Sequence, residues 1–246
     1  LVSHFLGIMG PMCGRYVLFS TPEQLVEAVR RRTGQQRVAM VGEGPRENYN
    51  IAPTHTVPVL RPFRGVPTLG PAVWGYPPKT VFNARGETAF DKPTFAGSEP
   101  CVFIMDGWYE WTADEDPAPG DRRKQPWFTH AGGEPIFIAG LCKAVDGVVH
   151  ATMVTTAATP ELEWLHHRMP RVLVPGEPAG GAEGVASADG SNHADDEVRR
   201  WLAGDEATLR AMAVGPPEHG LGGLVSEKAD KAVGNVANNG PHLIGR

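Results

Sequence analysis

Residues 101–111 read CVFIMDGWYEW. The first five are apolar, Asp106-Gly107 is a turn pair, and three aromatics surround Glu110. This pattern predicts a strand running into a turn, and a hairpin if the second half pairs back on the first. Working outward, apolar runs at 127–129, 135–141 and 148–155 are parted by Gly-rich or Asp-Gly turns and predict three further strands. Residues 50–60 are strand-like but hold Pro53 and Pro58, which places them at an edge or in extended loop. Short strands are expected at 72–74 and 80–83, around a Gly-Tyr-Pro-Pro turn.

Helical signals are few. Residues 21–32 carry Leu25, Val26 and Val29 at helical spacing. Ser20 or Thr21 can cap them, Pro22 suits the first turn, and Glu23 stands three residues after Ser20. A short helix is expected at 159–165 with Thr159 as cap, and two amphipathic ones at 195–202 and 206–212. The tail adds a strand-like 221–225 and then 233–244, with Asn235, Asn238 and Asn239. Residues 176–193 are rich in Gly, Ala, Ser and Asp with little to bury, and are expected to form a mobile surface loop. The sum predicts one α+β domain with a mixed, mostly antiparallel sheet and a few short flanking helices.

Composition narrows the class. The chain has 246 residues, 41% hydrophobic and 21% charged, enough for one sizeable core. Gly (30) and Pro (23) are abundant, which favours a loop-rich domain over a helical bundle. No apolar run is long enough to cross a membrane. The three cysteines, at 13, 101 and 142, have no CxxC spacing. A disulfide framework and a Cys-rich zinc site are therefore not expected, and a reducing cytosol fits. The net charge of −5 argues against a generally basic nucleic-acid binder, but it is unevenly spread. Residues 1–92 carry 11 Lys/Arg against 6 Asp/Glu, and residues 93–246 carry 12 against 22. Because fields act locally, a basic surface is compatible with an acidic chain.

Several side chains can carry chemistry, each with an ordinary reading beside it. Cys13, in Met-Cys-Gly-Arg-Tyr, is by default a buried cysteine beside a Gly turn. If Met12 is the initiator and is removed, Cys13 instead exposes a free α-amine next to a thiol. Such a 1,2-aminothiol condenses with an aldehyde to an imine and closes to a thiazolidine. Residues 1–12 are on this reading an upstream extension or removed leader. Asn83 is either a turn residue before Gly86 or an amide orienting a reacting group, with Arg85 on the same strand face to hold an anion. Glu110 is either an exposed strand-end carboxylate, with Tyr109 and Trp111 facing the core, or a carboxyl in apolar surroundings suited to general acid/base work. His166 is adjacent to His167, a poor chelating pair, so no metal is expected. As a proton-transfer group His166 would be backed by Arg168 on a phosphate. Arg15, Arg85 and Arg168 each lie within two residues of one of these candidates. Trp74, Trp108 and Trp111 either pack in the core or stack unpaired bases.

Taken in order, eight segments resemble the SRAP family, the SOS-response-associated peptidases or abasic-site processing proteins. They are MCGRY (12–16), YNIAPT (49–54), WGYPP (74–78), FNARGET (82–88), DGWYEW (106–111), AGL (139–141), TTAATPELEWLHHRMPRVL (155–173) and NNGPHLI (238–244). The resemblance implies a single SRAP domain over 13–246 with a barrel-like β core and no cofactor, into which this chain places an acidic insert at about 176–197. It implies binding of single-stranded DNA at abasic sites and a covalent thiazolidine between the N-terminal Cys and the ring-opened sugar. It further implies removal of the protein's own Met12 and strand cleavage through the imine. Carried over by motif, Cys13 is the nucleophile, Asn83 orients its amine, Glu110 is the general acid/base and His166 protonates the opening sugar ring. Thr155 lines the pocket, Arg15, Arg85 and Arg168 hold phosphates, and Trp74 shapes the DNA groove. A monomer associated with the nucleoid, with replication-fork partners, fits such a role. This chain departs from the family in having Pro77, Pro78 and Lys79 where a second Trp is usual, and Cys142 where Trp often follows AGL. Two other functions fit the same residues. One is a stand-alone peptidase using Cys13, His166 and Glu110, and the other a non-catalytic binder of modified or single-stranded DNA.

Overall fold

A computed structural model describes residues 14–176, 196–215, 217, 221 and 223–246. The expected leader, Cys13 and most of the expected insert lie outside the described residues. The strands in chain order are β1 (Tyr16–Leu18), β2 (Ala39–Met40), β3 (Asn48–Ile51), β4 (Thr56–Phe63), β5 (Val66–Trp74), β6 (Asn83–Arg85) and β7 (Glu99–Met105). They continue as β8 (Gly107–Thr112), β9 (Gln125–His130), β10 (Ile136–Val145), β11 (Val148–Ala157), β12 (Arg168–Pro170) and β13 (Val225–Lys228). Three helices flank them: α1 (Pro22–Thr33), α2 (Glu197–Ala203) and α3 (Glu206–Val214).

Residues 101–111 do not form a hairpin. β7 pairs with β10 and β4, whereas β8 pairs with β1 and β9 in a different sheet. Asp106 is the corner between the sheets. Its N–H donates to Val17 O at 2.8 Å, and its carboxylate accepts from the Phe19 and Ser20 N–H groups at 2.6 and 2.8 Å and from the Ser20 hydroxyl. Those contacts satisfy a buried charged group that a simple turn would have exposed. Gly107 is needed for space, since a Cβ there would lie 2.4 Å from both Thr129 O and the Phe128 ring.

The smaller sheet is antiparallel throughout, in the order β13-β9-β8-β1-β3. The larger runs β12-β11-β10-β7-β4-β5-β2, and β5 also pairs with β11 at Val73–His150 and Trp74–Ala151. Strands β11, β10, β7, β4 and β5 thus close into a ring, which removes their free edges. β4 is interior rather than an edge. Its prolines fit because Pro58 and Pro62 face Pro71 and Pro67 of β5, positions where neither partner needs to donate an N–H. The main core fills the space inside the ring and between the sheets, with Trp74, Phe103, Trp108 and Trp201 fully enclosed. A second, smaller core lies on the outer face of the smaller sheet, where Val17, Tyr109 and Phe128 meet Val233, Leu243 and Ile244 of the tail.

The helices follow their signals with shifts. Thr21 caps α1 through a reciprocal box with Gln24 rather than one between Ser20 and Glu23, and Gly34 ends the helix at φ +66°. Residues 160–165 form a turn, not a helix: Leu165 donates to Leu162 O, a tight three-residue bond, and the chain then leaves for β12. The expected 221–225 strand begins only at Val225, where pairing with His130 of β9 becomes possible.

Candidate functional site

β11 organises the site. Over its last residues it is flanked by β6 in parallel (Met153–Asn83, Thr155–Arg85) and by β12 in antiparallel (Thr155–Pro170, Ala157–Arg168). Paired residues share a sheet face, so Asn83, Arg85, Thr155 and Arg168 converge on one face although they come from three separate segments. Gly86 permits the close packing of α3 on this junction, because a Cβ there would lie 2.1 Å from Ala213 O.

The four side chains differ in how they are held. Thr155 is wholly buried, and its Oγ1 donates to Ala84 O at 3.4 Å. Arg168 is nearly buried and donates from two nitrogens to Glu87 at 2.7 and 2.9 Å, and also to Thr155 O at 2.7 Å. Glu87 is held below the usual carboxylate range, first by these hydrogen bonds, with the charges of Arg168 and Arg85 adding to them. Arg85 is exposed and Asn83 is half-buried.

His166 precedes this strand. Its Nδ1 lies 3.1 Å from both the N–H and the C=O of Arg168, so the backbone fixes the ring whichever of the two it pairs with. Burial lowers its proton affinity, and the charges of His167, Arg168 and Lys124 add to the effect, while the bond to Arg168 opposes it. These causes favour the neutral imidazole, so the ring must take up a proton before it can give one. The turn that carries it is tied to the smaller sheet by Trp164, packed edge-on against Trp127 at 4.9 Å. Trp127 is in turn the cross-strand partner of Glu110.

Glu110 is buried, on the same side of β8 as Trp108 and facing the main core. Tyr109 faces the outer core instead. The reading of Glu110 as an exposed strand-end carboxylate is thereby removed. A run of aromatics joins this strand to the β6 side: Tyr16, opposite Trp108, meets Trp74 at 5.3 Å, and Trp74 meets Phe82 at 5.8 Å. A Cβ on Gly14, the residue after Cys13, would lie 3.9 Å from the Phe82 ring, next in sequence to Asn83. Cys13 itself is outside the described residues.

Trp74, Trp108 and Arg15 are each held by the fold itself. Trp74 and Trp108 have no exposed surface to stack on a base, and Trp74 donates its indole N–H to Phe82 O at 3.0 Å. Whatever Trp74 does for the site, it does by packing beneath it. Arg15 is half-buried and donates to Asn50 Oδ1 at 3.1 Å and Val233 O at 2.7 Å, with burial lowering its pKa. Sequence reading also passed over residues that complete the site. Glu87, in FNARGET, is one; its signal is a lone carboxylate two residues after Arg85. Asn50, in YNIAPT, is another. It donates to Val233 O, Asn235 O and Asn238 O, anchoring the C-terminal segment beside Arg15. Among the described residues, no group of three or more His, Cys, Asp or Glu could hold a metal ion, and no helix is long and apolar enough to cross a membrane.

Comparison with known proteins brings the geometry together with a family. A family model described as SOS response associated peptidase (SRAP) matches residues 12–181. The abasic site processing protein YedK of Escherichia coli is 30% identical over 247 residues, covering 95% of this chain and 99% of that protein. The abasic site processing protein YMR114C of Saccharomyces cerevisiae is 32% identical over 146 residues, 52% of this chain and 38% of that protein. A protein of Bacteroides thetaiotaomicron known by X-ray crystallography shares the fold, with a TM-score of 0.66 at 16% identity, over 95% of this chain and 99% of that one.

Proposed function

The chain belongs to the SRAP family, and from that premise we propose that it processes abasic sites in single-stranded DNA by covalent capture through Cys13. The observation that carries the reading is the β11 register. It gathers an amide, a hydroxyl and two guanidinium groups on one face, beside the point where the chain enters at Gly14.

In this reading an abasic sugar opens to its aldehyde: the anomeric hydroxyl gives up its proton, the ring carbon–oxygen bond breaks, and His166, once protonated, delivers a proton to the ring oxygen. The α-amine of Cys13, oriented by Asn83, adds to the aldehyde carbon, and Glu110 shuttles protons as water leaves and the imine forms. The thiol then adds across the imine: sulfur bonds to carbon, the proton ends on nitrogen, and a thiazolidine results. Arg15, Arg85 and Arg168 hold flanking phosphates, and Thr155 lines the pocket. The amine exists only once Met12 is gone, so removal of Met12 is part of the same proposal.

The test compares chains beginning at Leu1 and at Cys13 on single-stranded DNA bearing one abasic site, followed on a denaturing gel. A covalent species should form with the Cys13 chain and vanish in Cys13→Ala. Persistence of that species in Cys13→Ala, or its absence from wild type, overturns the proposal. Turnover of added peptides without a free α-amine would point to a peptidase instead.

A further inference from the structure

We propose that Trp164 is a stacking platform for the nucleobase adjacent to the abasic sugar, an inference that rests on the DNA reading above. Trp164 is 54% exposed, whereas Leu162 and Leu165 of the same turn are buried. The leucines anchor the turn, so core packing does not account for an indole at this position. Such an exposed aromatic of large area is the kind of surface that binds unpaired bases.

The ring is held in place. Thr159 O accepts from the N–H groups of Leu162 and Glu163, and Leu162 O from those of Leu165 and His166. Trp127 braces the indole at an interplanar angle of 85°, and its own Nε1 is fixed by Thr112 Oγ1 at 2.9 Å. Rings at that angle do not lie face to face, so Trp127 covers at most one face of Trp164. A cleft of about 460 Å³ opens beside it, walled by Glu161, Leu162, Leu221, Gly223, Leu224 and Ser226. That is within the range of small-ligand sites and ample for one base.

The position matches the reaction. Trp164 is two residues from His166, so their Cα atoms are at most about 7–8 Å apart, the scale of one nucleotide step along an extended strand. The charges here are mixed: Glu161 and Glu163 are exposed on the turn, while Lys124 is felt at His166 and Lys228 lies 5.8 Å from the Trp127 ring. Attraction at Trp164 therefore comes from the ring face rather than from net charge. Stacking of this kind accepts any base and leaves the salt dependence of binding alone.

The experiment measures affinity for a single-stranded oligonucleotide with an unreactive tetrahydrofuran abasic analogue between two thymidines. Both the 246-residue chain and the form beginning at Cys13 are used. Trp164→Ala should weaken binding roughly 5- to 150-fold with an unchanged salt slope, and Trp164→Phe should keep most of the affinity. On an oligonucleotide lacking the flanking bases, wild type should lose the same factor and Trp164→Ala should lose nothing more. Equal affinity of wild type and Trp164→Ala overturns the inference, as does a loss in Trp164→Ala that persists without flanking bases. The wild-type crosslink is scored in parallel on reactive DNA. If it forms while Trp164→Ala binds like wild type, only this inference fails; if it never forms, the DNA reading itself has failed.

Discussion

Arg168 and Arg171 stand three residues apart in one segment, and each forms a two-pronged ion pair with a glutamate, yet they do different work. Arg171 and Glu197 are both about 1% exposed. The guanidinium donates to both carboxylate oxygens, to Met212 O and to Val172 O, and the Val174 N–H donates to the same carboxylate. Arg168 is 9% exposed but its partner Glu87 is 41% exposed, and Arg168 Nε is buried with no hydrogen-bond partner among the described residues. One pair is saturated and sealed. The other is incomplete and opens to solvent on the face that also carries Arg85 and Asn83. The saturated pair is scaffold on this comparison, and the incomplete one, with its half-exposed carboxylate, is where the proposed phosphate contact is put to the test.

The sharpest way to break this contrast is at Arg171. Arg171→Met leaves the Glu197 carboxylate buried and unpaired, which costs roughly 3–5 kcal/mol. Urea unfolding at neutral pH would show it as a lower midpoint at unchanged slope. The double variant Arg171→Met, Glu197→Leu should recover most of the loss, because a buried pair replaced by apolar groups is nearly neutral. A single variant as stable as wild type would mean that the pair is not scaffold. The position gives the pair weight: with Arg32–Asp196 at 2.7 Å, it holds residues 196–197, where the chain returns after the 177–195 segment, against α1 and the end of the β12 segment.

None of these pairings was legible along the chain, and the reason is distance. Arg171 finds Glu197 across 26 positions, and Asn50 finds Val233 across 183. Period and turn chemistry specify a strand and where it stops, but not which neighbour it takes. Residues 101–111 show both sides of this. The strand before Asp106 and the turn pair were readable, whereas the partner of β8 depends on Gly107 letting β9 approach, a contact made with Phe128 and Thr129. Glu110 is similar: alternation limited it to two faces, and only the second sheet decided which face was buried. The β11 junction was legible as motifs, since FNARGET, the TTAA stretch and HHRMP were each conspicuous. Their meeting on one face required the register.

The next effect concerns binding. Arg168→Ala should weaken binding to abasic single-stranded DNA about tenfold at moderate salt and reduce the salt slope by about 0.7. Filter binding across a salt series measures both. An unchanged slope would make Arg168 scaffold like Arg171 and erase the contrast. Glu87→Gln probes the same pair from the other side. It should cost no more than about 1 kcal/mol of stability, because the carboxylate is half-exposed. Affinity for single-stranded DNA at low salt should rise by up to about fivefold, since a negative charge beside Arg85 and Arg168 is gone. Weaker binding by Glu87→Gln would instead show that the carboxylate holds Arg168 in its working position.

The smallest effect is in pH, and it separates His166 from Glu87. Burial holds the His166 imidazole below its ordinary value of 6.5 in the folded protein, so between the two values the unfolded chain binds the proton and the folded one does not. The stability this contributes is fully present above pH 6.5 and is lost as pH falls through that value toward the folded one. Glu87 also has a depressed value, through Arg168, but its contribution is present above the ordinary carboxylate range and is lost only at lower pH. Urea midpoints between pH 7.5 and 5.5 should therefore fall more steeply for wild type than for His166→Gln, while Glu87→Gln keeps the wild-type slope over that window. Parallel curves for wild type and His166→Gln would mean that the surroundings do not disfavour the protonated ring.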